Sequence, residues 1–334
     1  MSRVERFNNP ATLDSTRIDA LIAAGDRPIV QFTAPPPDAL LEVLNAVCAR
    51  HGGALDVRFY GASTSAFDVR LLRQLPAVAS LTIDCLDEVT YVEELGALGH
   101  LEALSLGVLR LDAPEILAMP NLRGLKRLGI GPTKRRTIDL APVAQMPGLV
   151  ELTVAEQETG IASIGACSRL ETLRLSSIGR QVRLGFIAGL PRLRSLRLLL
   201  GGRDDIDEVS HPGLVDLEIT RIRGFKRLEP ARFPSLERLK IADQIQLDAL
   251  EFDTVCSKLE SLTLWNCNKL DRLDGLQQLA SLRELRLGPT AVDLDALLRG
   301  GLPPALRTFV FYTGRSRQDA QIRARLDGLG YSET

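Results

Sequence analysis

Leu101-Glu102-Ala103-Leu104-Ser105-Leu106 decides the fold: it is apolar at its first, fourth and sixth positions. The same six-residue phrase starts again at Ala54, Val78, Leu125, Leu149, Leu170, Leu193, Leu214, Leu236, Leu259, Leu282 and Leu306, with successive starts 21–24 residues apart. Every first, fourth and sixth position in these copies is apolar, from Ala54 at the small end to Phe309 and Phe311 at the large. Among the third and fifth positions only Ala103, Gly129 and Val310 lack a polar or charged side chain. Positions three to six therefore alternate with the period of two that marks a half-buried strand. One such strand cannot bury its apolar face alone. Self-similarity at this period means that the strands stack in parallel as the units of a solenoid.

The stretches between strands keep a period of three. Val92, Leu95, Leu98, Leu101 and Leu104 show it, as do Leu184, Ile187, Leu190, Leu193 and Leu196, and the leucines from Leu270 to Leu285. Side chains three apart eclipse in a 3₁₀ turn and not in an α-helix. A repeat of 21–24 residues is also too short for a strand, two turns and a full helix. These two facts predict a thin back of 3₁₀ or irregular turns and a gently curved arc.

The L-x-x-L-x-L phrase at this period resembles the leucine-rich-repeat proteins over residues 54–313. The longer run L-x-x-L-x-x-L-x-x-L-x-L is similar to the short-repeat class that includes internalins and phosphatase-regulatory subunits. The resemblance implies an α/β fold: a curved parallel sheet of about 12–13 strands, a convex side of short turns, and helical caps. The family usually carries Asn or Cys at the ninth position, bonded to the backbone where the chain leaves the strand. Here only Cys267 matches, and Leu86, Leu109, Gln157, Ile178, Gly201 and Thr290 stand at that site elsewhere. The family's side-chain ladder is thus expected to be missing and the ascending loops irregular.

A solenoid needs covers at both ends. Residues 1–53 read as an N-terminal β/α cap: Arg27–Phe32 as a strand stopped by Pro35-Pro36-Pro37, then a helix from Asp38 to Arg50 that ends before Gly52-Gly53. Asp14 to Ala24 reads as a short helix and the first dozen residues as loose chain. Residues 314–334 form the C-terminal cap, with a helix from Ser316 through Ile322, Leu326 and Leu329 and Gly328 at its C-cap. No Pro/Gly/Ser linker interrupts residues 54–313, which predicts one cooperative solenoid.

Net charge is −1, with 45% hydrophobic and 25% charged residues, the range of globular proteins. That balance argues against a dedicated nucleic-acid binder. No apolar leader or membrane-spanning run is present, and Cys48, Cys85, Cys167, Cys256 and Cys267 are scattered without a C-x-x-C. A cytoplasmic monomer with five free thiols is the expectation. The 35 arginines against 6 lysines suggest a GC-rich bacterial source. His51, His100 and His211 are far apart and lack metal spacing, and no nucleophile-elbow, P-loop or dinucleotide motif occurs. No catalytic residue, cofactor or metal is expected.

The expected function is non-enzymatic: a scaffold whose concave face and one edge bind a folded protein. Charge on that face gathers in the second half with alternating sign, and the expected partner-binding residues are Arg174, Arg197, Glu218, Lys240, Trp265, Arg286 and Tyr312. Trp265, the only tryptophan, is the expected anchor. The first half offers mainly Ser, Thr, Ala and Gly. Basic loops at Lys134, Arg135 and Arg136, and at Arg223, Lys226 and Arg227, line one edge beside the acidic run Asp204–Glu208. An alternative is a regulator of an enzyme, of phosphatase-targeting or GTPase-activating type, acting through Arg135, Arg223 or Arg227.

Overall fold

In the computed structural model, which describes residues 4–61, 66–84, 87–134 and 136–332, the chain divides into two compact units, Met1–Arg169 and Leu170–Thr334. In the first unit the order is β1 (Arg6–Asn8), α1 (Ser15–Ala23), β2 (Ile29–Phe32), α2 (Asp38–His51), β3 (Asp56–Tyr60), β4 (Phe67–Asp68), β5 (Ser80–Asp84), β6 (Val89–Thr90), β7 (Ala103–Gly107), β8 (Arg127–Ile130) and β9 (Glu151–Ala155). In the second it is β10 (Thr172–Ser176), β11 (Ser195–Leu199), β12 (Asp216–Thr220), β13 (Arg238–Ala242), β14 (Ala249–Glu251), β15 (Ser261–Cys267), β16 (Arg272–Asp274), β17 (Glu284–Thr290), α3 (Leu294–Gly300), β18 (Thr308–Phe311) and α4 (Ser316–Gly328). The short pairs β4·β6 and β14·β16 form separate two-stranded ladders.

The fourth positions meet in register. In the first unit Val57, Leu81, Leu104, Leu128 and Leu152 form one row, none more than 3% exposed. In the second unit Leu173, Leu196, Leu217, Leu239, Leu262, Leu285 and Phe309 do the same, none above 1%. A one-residue slip would turn each row to the other face, so the apolar pattern fixes the pairing. The period-three stretches form 3₁₀ turns such as Val92–Ala97, Ile161–Ala166 and Leu276–Gln278, with Leu95, Ile164 and Leu276 buried beneath them.

Among the described residues each unit holds seven strands of its parallel ladder, fourteen in all, where twelve or thirteen were expected. The additional strand is β1, which pairs Arg6 with Ile29 and Asn8 with Gln31 inside the stretch read as loose. Three residues with one half-buried Phe7 carry too little alternation to be seen in advance. The back is not uniformly thin either. α3 is a true helix in one interval, started by the Asp293 carboxylate, which accepts the amides of Asp295 and Ala296. α4 runs through Gly328, and the residue with positive φ is Gly330 (φ 90°), two positions later than expected.

From Glu156 to Asn266 the ascending loops are regular, against expectation, whereas Val108, Pro132, Pro289 and Thr313 at the equivalent position are not left-handed. At the eighth position the chain leaves the strand through a left-handed residue: Ser177 (φ 55°), Leu200 (φ 59°), Arg221 (φ 55°), Asp243 (φ 55°) and Asn266 (φ 53°) in the second unit, and Glu156 (φ 60°) in the first. That conformation costs a non-glycine residue about 1–2 kcal/mol. It is offset by a backbone ladder. The amides of Ser177, Leu200, Arg221 and Asp243 donate to the carbonyls of Leu199, Thr220, Ala242 and Trp265 at 2.8–2.9 Å. Glutamine also does the work expected of asparagine at the ninth position. Gln157, fully buried, accepts the Ile138 amide (2.8 Å) and donates to the Gly131 carbonyl (3.0 Å). Buried Gln244 donates to the Ala242 carbonyl (2.9 Å), and the Cys267 thiol faces that of Trp265 (3.5 Å).

Candidate interaction face

The register of the second unit brings the expected charged residues into one row on the solvent side of the sheet. Arg174, Arg197, Glu218, Lys240, Thr263 and Arg286 are successive partners, fifth position to fifth position. Lys240 donates to Glu218 (2.9 Å), and Arg197 approaches the other oxygen of that carboxylate at 3.6 Å. Burial alone would raise the Glu218 pKa, but the bonded Lys240 ammonium and the Arg197 charge outweigh it and hold the group below its ordinary value. Arg238 pairs with Asp216 (3.2 Å), and Arg286 bonds Glu284 on its own strand. From β12 to β17 the face is thus a ladder of matched charge. Cross-strand pairs of this exposure contribute about 0.2–1 kcal/mol each.

Above this row, at the seventh positions, stand Trp265 and Tyr312. Between them in the sheet is Gly288, the register partner of Trp265. A Cβ on Gly288 would lie 2.4 Å from the Tyr312 carbonyl oxygen, so only glycine lets the Tyr312 backbone close down to donate its amide to Leu287 (2.8 Å). The two rings lean together across the gap, with centroids 5.8 Å apart and planes 9° from parallel. The indole does not stand alone as an isolated peg. It is half-buried, braced on one side by a phenol that is 38% exposed. An offset-stacked pair is a rigid apolar platform that loses little entropy when something docks on it.

The first unit, expected to supply few anchors, holds a concavity of about 570 Å³ on its strand face. Its floor is made by small residues at the fifth and seventh positions, Ser105, Gly107, Gly129 and Gly131. Asp84 is bound in two-pronged fashion by Arg58 (2.8 and 2.9 Å). Arg127 reaches across the small third-position residues Ala103 and Ser80 to donate to the Gly53 carbonyl (3.1 Å). Asp56 accepts from the hydroxyls of Ser80 (2.9 Å) and Thr82 (3.0 Å). Burial pushes its carboxyl pKa up despite those bonds and the charges of Arg27 and Arg127. Ser80 and Ala103 were the signal for this arrangement, because small third-position residues give a long neighbour room to lie across the sheet.

The edge loops are largely neutralised within the molecule. Lys226 faces Asp204 (3.8 Å), Arg227 bonds Asp207 and lies 3.8 Å from Asp205, and Arg180 bonds Asp204. The acidic run is therefore the counterion of the basic loop after it. Arg136 faces Asp112 (3.4 Å), Lys134 and Arg223 are exposed, and Arg135 lies outside the described residues. Of the arginines that the regulator reading needs, Arg227 is committed to two carboxylates.

Among the described residues no group of three or more His, Cys, Asp and Glu side chains could hold a metal. His51 ends α2 and bonds Asp19 (2.6 Å), and buried His211 bonds the Leu190 carbonyl (2.8 Å). Cys48, Cys167, Cys256 and Cys267 are buried free thiols, and Cys85 lies outside the described residues. Burial pushes the Cys48 pKa up to about 12 and those of Cys167 and Cys267 to about 11. Among the described residues no helix is long and apolar enough to cross a membrane.

No protein-family profile and no curated protein matches the sequence. Solved structures do match. An internalin of Listeria monocytogenes aligns over 86% of this chain and 78% of its own, with 18% identity and a TM-score of 0.58. Internalin C2 of the same organism aligns over 59% of this chain and 83% of its own, at 18% identity and a TM-score of 0.45. A Leptospira interrogans leucine-rich-repeat protein aligns over 81% and 88%, at 16% identity and a TM-score of 0.40. With its in-register apolar rows, parallel strands and 3₁₀ backs, the chain is a leucine-rich-repeat solenoid of internalin-like fold.

Proposed function

We propose that this chain is a non-enzymatic interaction scaffold that binds a folded protein on the strand face of its second unit, with Trp265 at the centre. The Trp265–Tyr312 pair carries the reading: a stacked, partly exposed aromatic platform beside a row of charged side chains. Rigid aromatics surrounded by polar groups are what the energetic centres of protein interfaces are made of. The span is adequate. Arg197 to Tyr312 crosses five strand spacings of about 4.8 Å, or roughly 24 Å, which suits an interface of about 800 Å² per partner. The unpaired buried thiols support action in a reducing compartment such as the cytoplasm.

The test is capture of partners on immobilised protein, identification by mass spectrometry, and affinity measurement with the purified partner. Trp265→Ala should weaken binding by about 2 kcal/mol or more with little change in melting temperature. Arg286→Glu should mainly slow association and change its salt dependence. Intact affinity in both variants, with binding abolished by reversing Lys134 and Arg136, would move the working surface to the edge and sink the proposal.

A further inference from the structure

The charges on the face of the second unit do not cancel evenly. Across the third and fifth positions from β10 to β17 the cations are Arg174, Arg197, Arg238, Lys240 and Arg286, and the anions are Asp216, Glu218 and Glu284. Arg238 takes Asp216, Arg286 takes Glu284, and Lys240 takes Glu218 in a direct hydrogen bond. The excess falls on the two remaining arginines. Those two are direct cross-strand partners, a like-charge juxtaposition that costs free energy unless something anionic lies between. Arg174 is half-buried and has no carboxylate within ion-pair distance among the described residues. Arg197 keeps a second-hand share of Glu218 at 3.6 Å, too long for a hydrogen bond, and its buried Nε lacks an acceptor. The strands that carry them hold no acid at these positions. Thr172 and Ser195 flank the pair on one side and Ser176 on the other, all hydroxyl donors.

We infer that Arg174 and Arg197 form a carboxylate-binding site for an acidic side chain of the protein partner. The inference rests on the scaffold reading above and names the partner's chemistry: an Asp- or Glu-bearing segment, placed toward β10 from the aromatic platform. Two guanidinium groups on adjacent strands can share one carboxylate, each giving it a charge-assisted hydrogen bond. Binding would relieve the repulsion between the pair through their accessible guanidinium nitrogens. Lys240 does not compete, because its ammonium is held by Glu218.

The probe is a fluorescein-labelled hexaglutamate peptide with blocked termini, titrated into the protein of residues 1–334 and followed by fluorescence anisotropy at low salt. Matched hexaglutamine and a single-stranded oligothymidylate serve as comparison ligands. The expected result is binding of hexaglutamate and not of hexaglutamine, weakened about tenfold by Arg174→Gln or Arg197→Gln. Arg299→Gln, an exposed arginine on α3, should leave it unchanged. Equal loss in the Arg299 variant, no loss in the other two, or tighter binding of the oligothymidylate would each overturn the assignment. Each variant's melting temperature is measured alongside, and loss caused by unfolding is recognised by a shift that Arg174→Lys and Arg197→Lys do not share. Should hexaglutamate fail while Trp265→Ala still abolishes partner capture, the scaffold stands and only the carboxylate site falls.

Discussion

Gly288→Ala is the sharpest perturbation of the aromatic platform. The added methyl would lie 2.4 Å from the Tyr312 carbonyl oxygen and 2.7 Å from its Cβ, where real Cβ contacts stay above 3.0 Å. Both obstacles belong to the main chain or its first side-chain atom, so no rotamer change clears them. Tyr312 must retreat by at least the difference between 2.4 and 3.0 Å, stretching the 2.8 Å bond from its amide to Leu287. Overpacking of this kind costs about 1–3 kcal/mol, and loss of the ring stack adds about 0.5–1.5 kcal/mol. Trp265 is the sole tryptophan, so intrinsic emission reports this one site. The variant should show red-shifted emission, stronger acrylamide quenching, and an earlier fluorescence-detected unfolding midpoint than wild type. Gly96→Ala, where an added Cβ meets nothing within 4 Å, is the control and should behave as wild type. An unchanged spectrum and midpoint in Gly288→Ala would refute the account of the Trp265–Tyr312 contact.

Leu239→Ala removes three carbons from a site 1% exposed between Leu217 and Leu262. The transfer loss of about 2.4 kcal/mol plus a cavity held open by the strand ladder should bring the denaturant-measured cost to about 3–4 kcal/mol, whereas Ile245→Ala, at 63% exposure, should cost under about 0.5 kcal/mol. Thiol counting should find five free thiols under denaturation and slow reaction of Cys48, Cys167 and Cys267 in the native protein, because burial disfavours their thiolates; a disulfide in freshly purified protein would contradict this. Asp56 has a folded pKa above its unfolded one, so its contribution to stability is greatest at low pH and declines as pH rises through the folded value. Asp56→Asn should flatten that part of the curve of melting temperature against pH, and an unaltered curve would count against the raised pKa of this half-buried carboxylate.

The apolar rows, the 3₁₀ backs and both principal cap helices were legible because their signal repeats or has helical spacing over many residues. Leu104 and Leu239 are read from their repeat, not from their neighbours. β1 was not legible, since three residues cannot show a period, and α3 hid inside an interval that elsewhere holds a 3₁₀ turn. The ninth-position bonds of Gln157 and Gln244 were not legible, because spacing does not show that an amide one methylene longer than asparagine's reaches the backbone carbonyls there. On the candidate site, the row from Arg174 to Arg286 followed directly from the register. What sequence spacing could not show was reach: Arg127 lying across Ala103 to Gly53, Trp265 leaning over Gly288, and Arg227 consumed by the loop before it.

The left-handed exit at the eighth position has a consequence for how such a chain can change over time. From Ser177 to Asp243 the exit is secured by an amide of one repeat and a carbonyl of the next, and the residues that adopt it are as different as Ser, Leu, Arg and Asp. The joint is therefore indifferent to side-chain identity. A duplicated or deleted repeat within this stretch regenerates every bond that it interrupts, provided that the apolar first, fourth and sixth positions are kept. Length can be gained or lost in whole modules while the tips of the fifth and seventh positions are rewritten freely. Trp265 can in this way be carried nearer to Arg174 or farther from it, one strand spacing at a time, so that the distance between two recognition features becomes an inheritable variable in its own right.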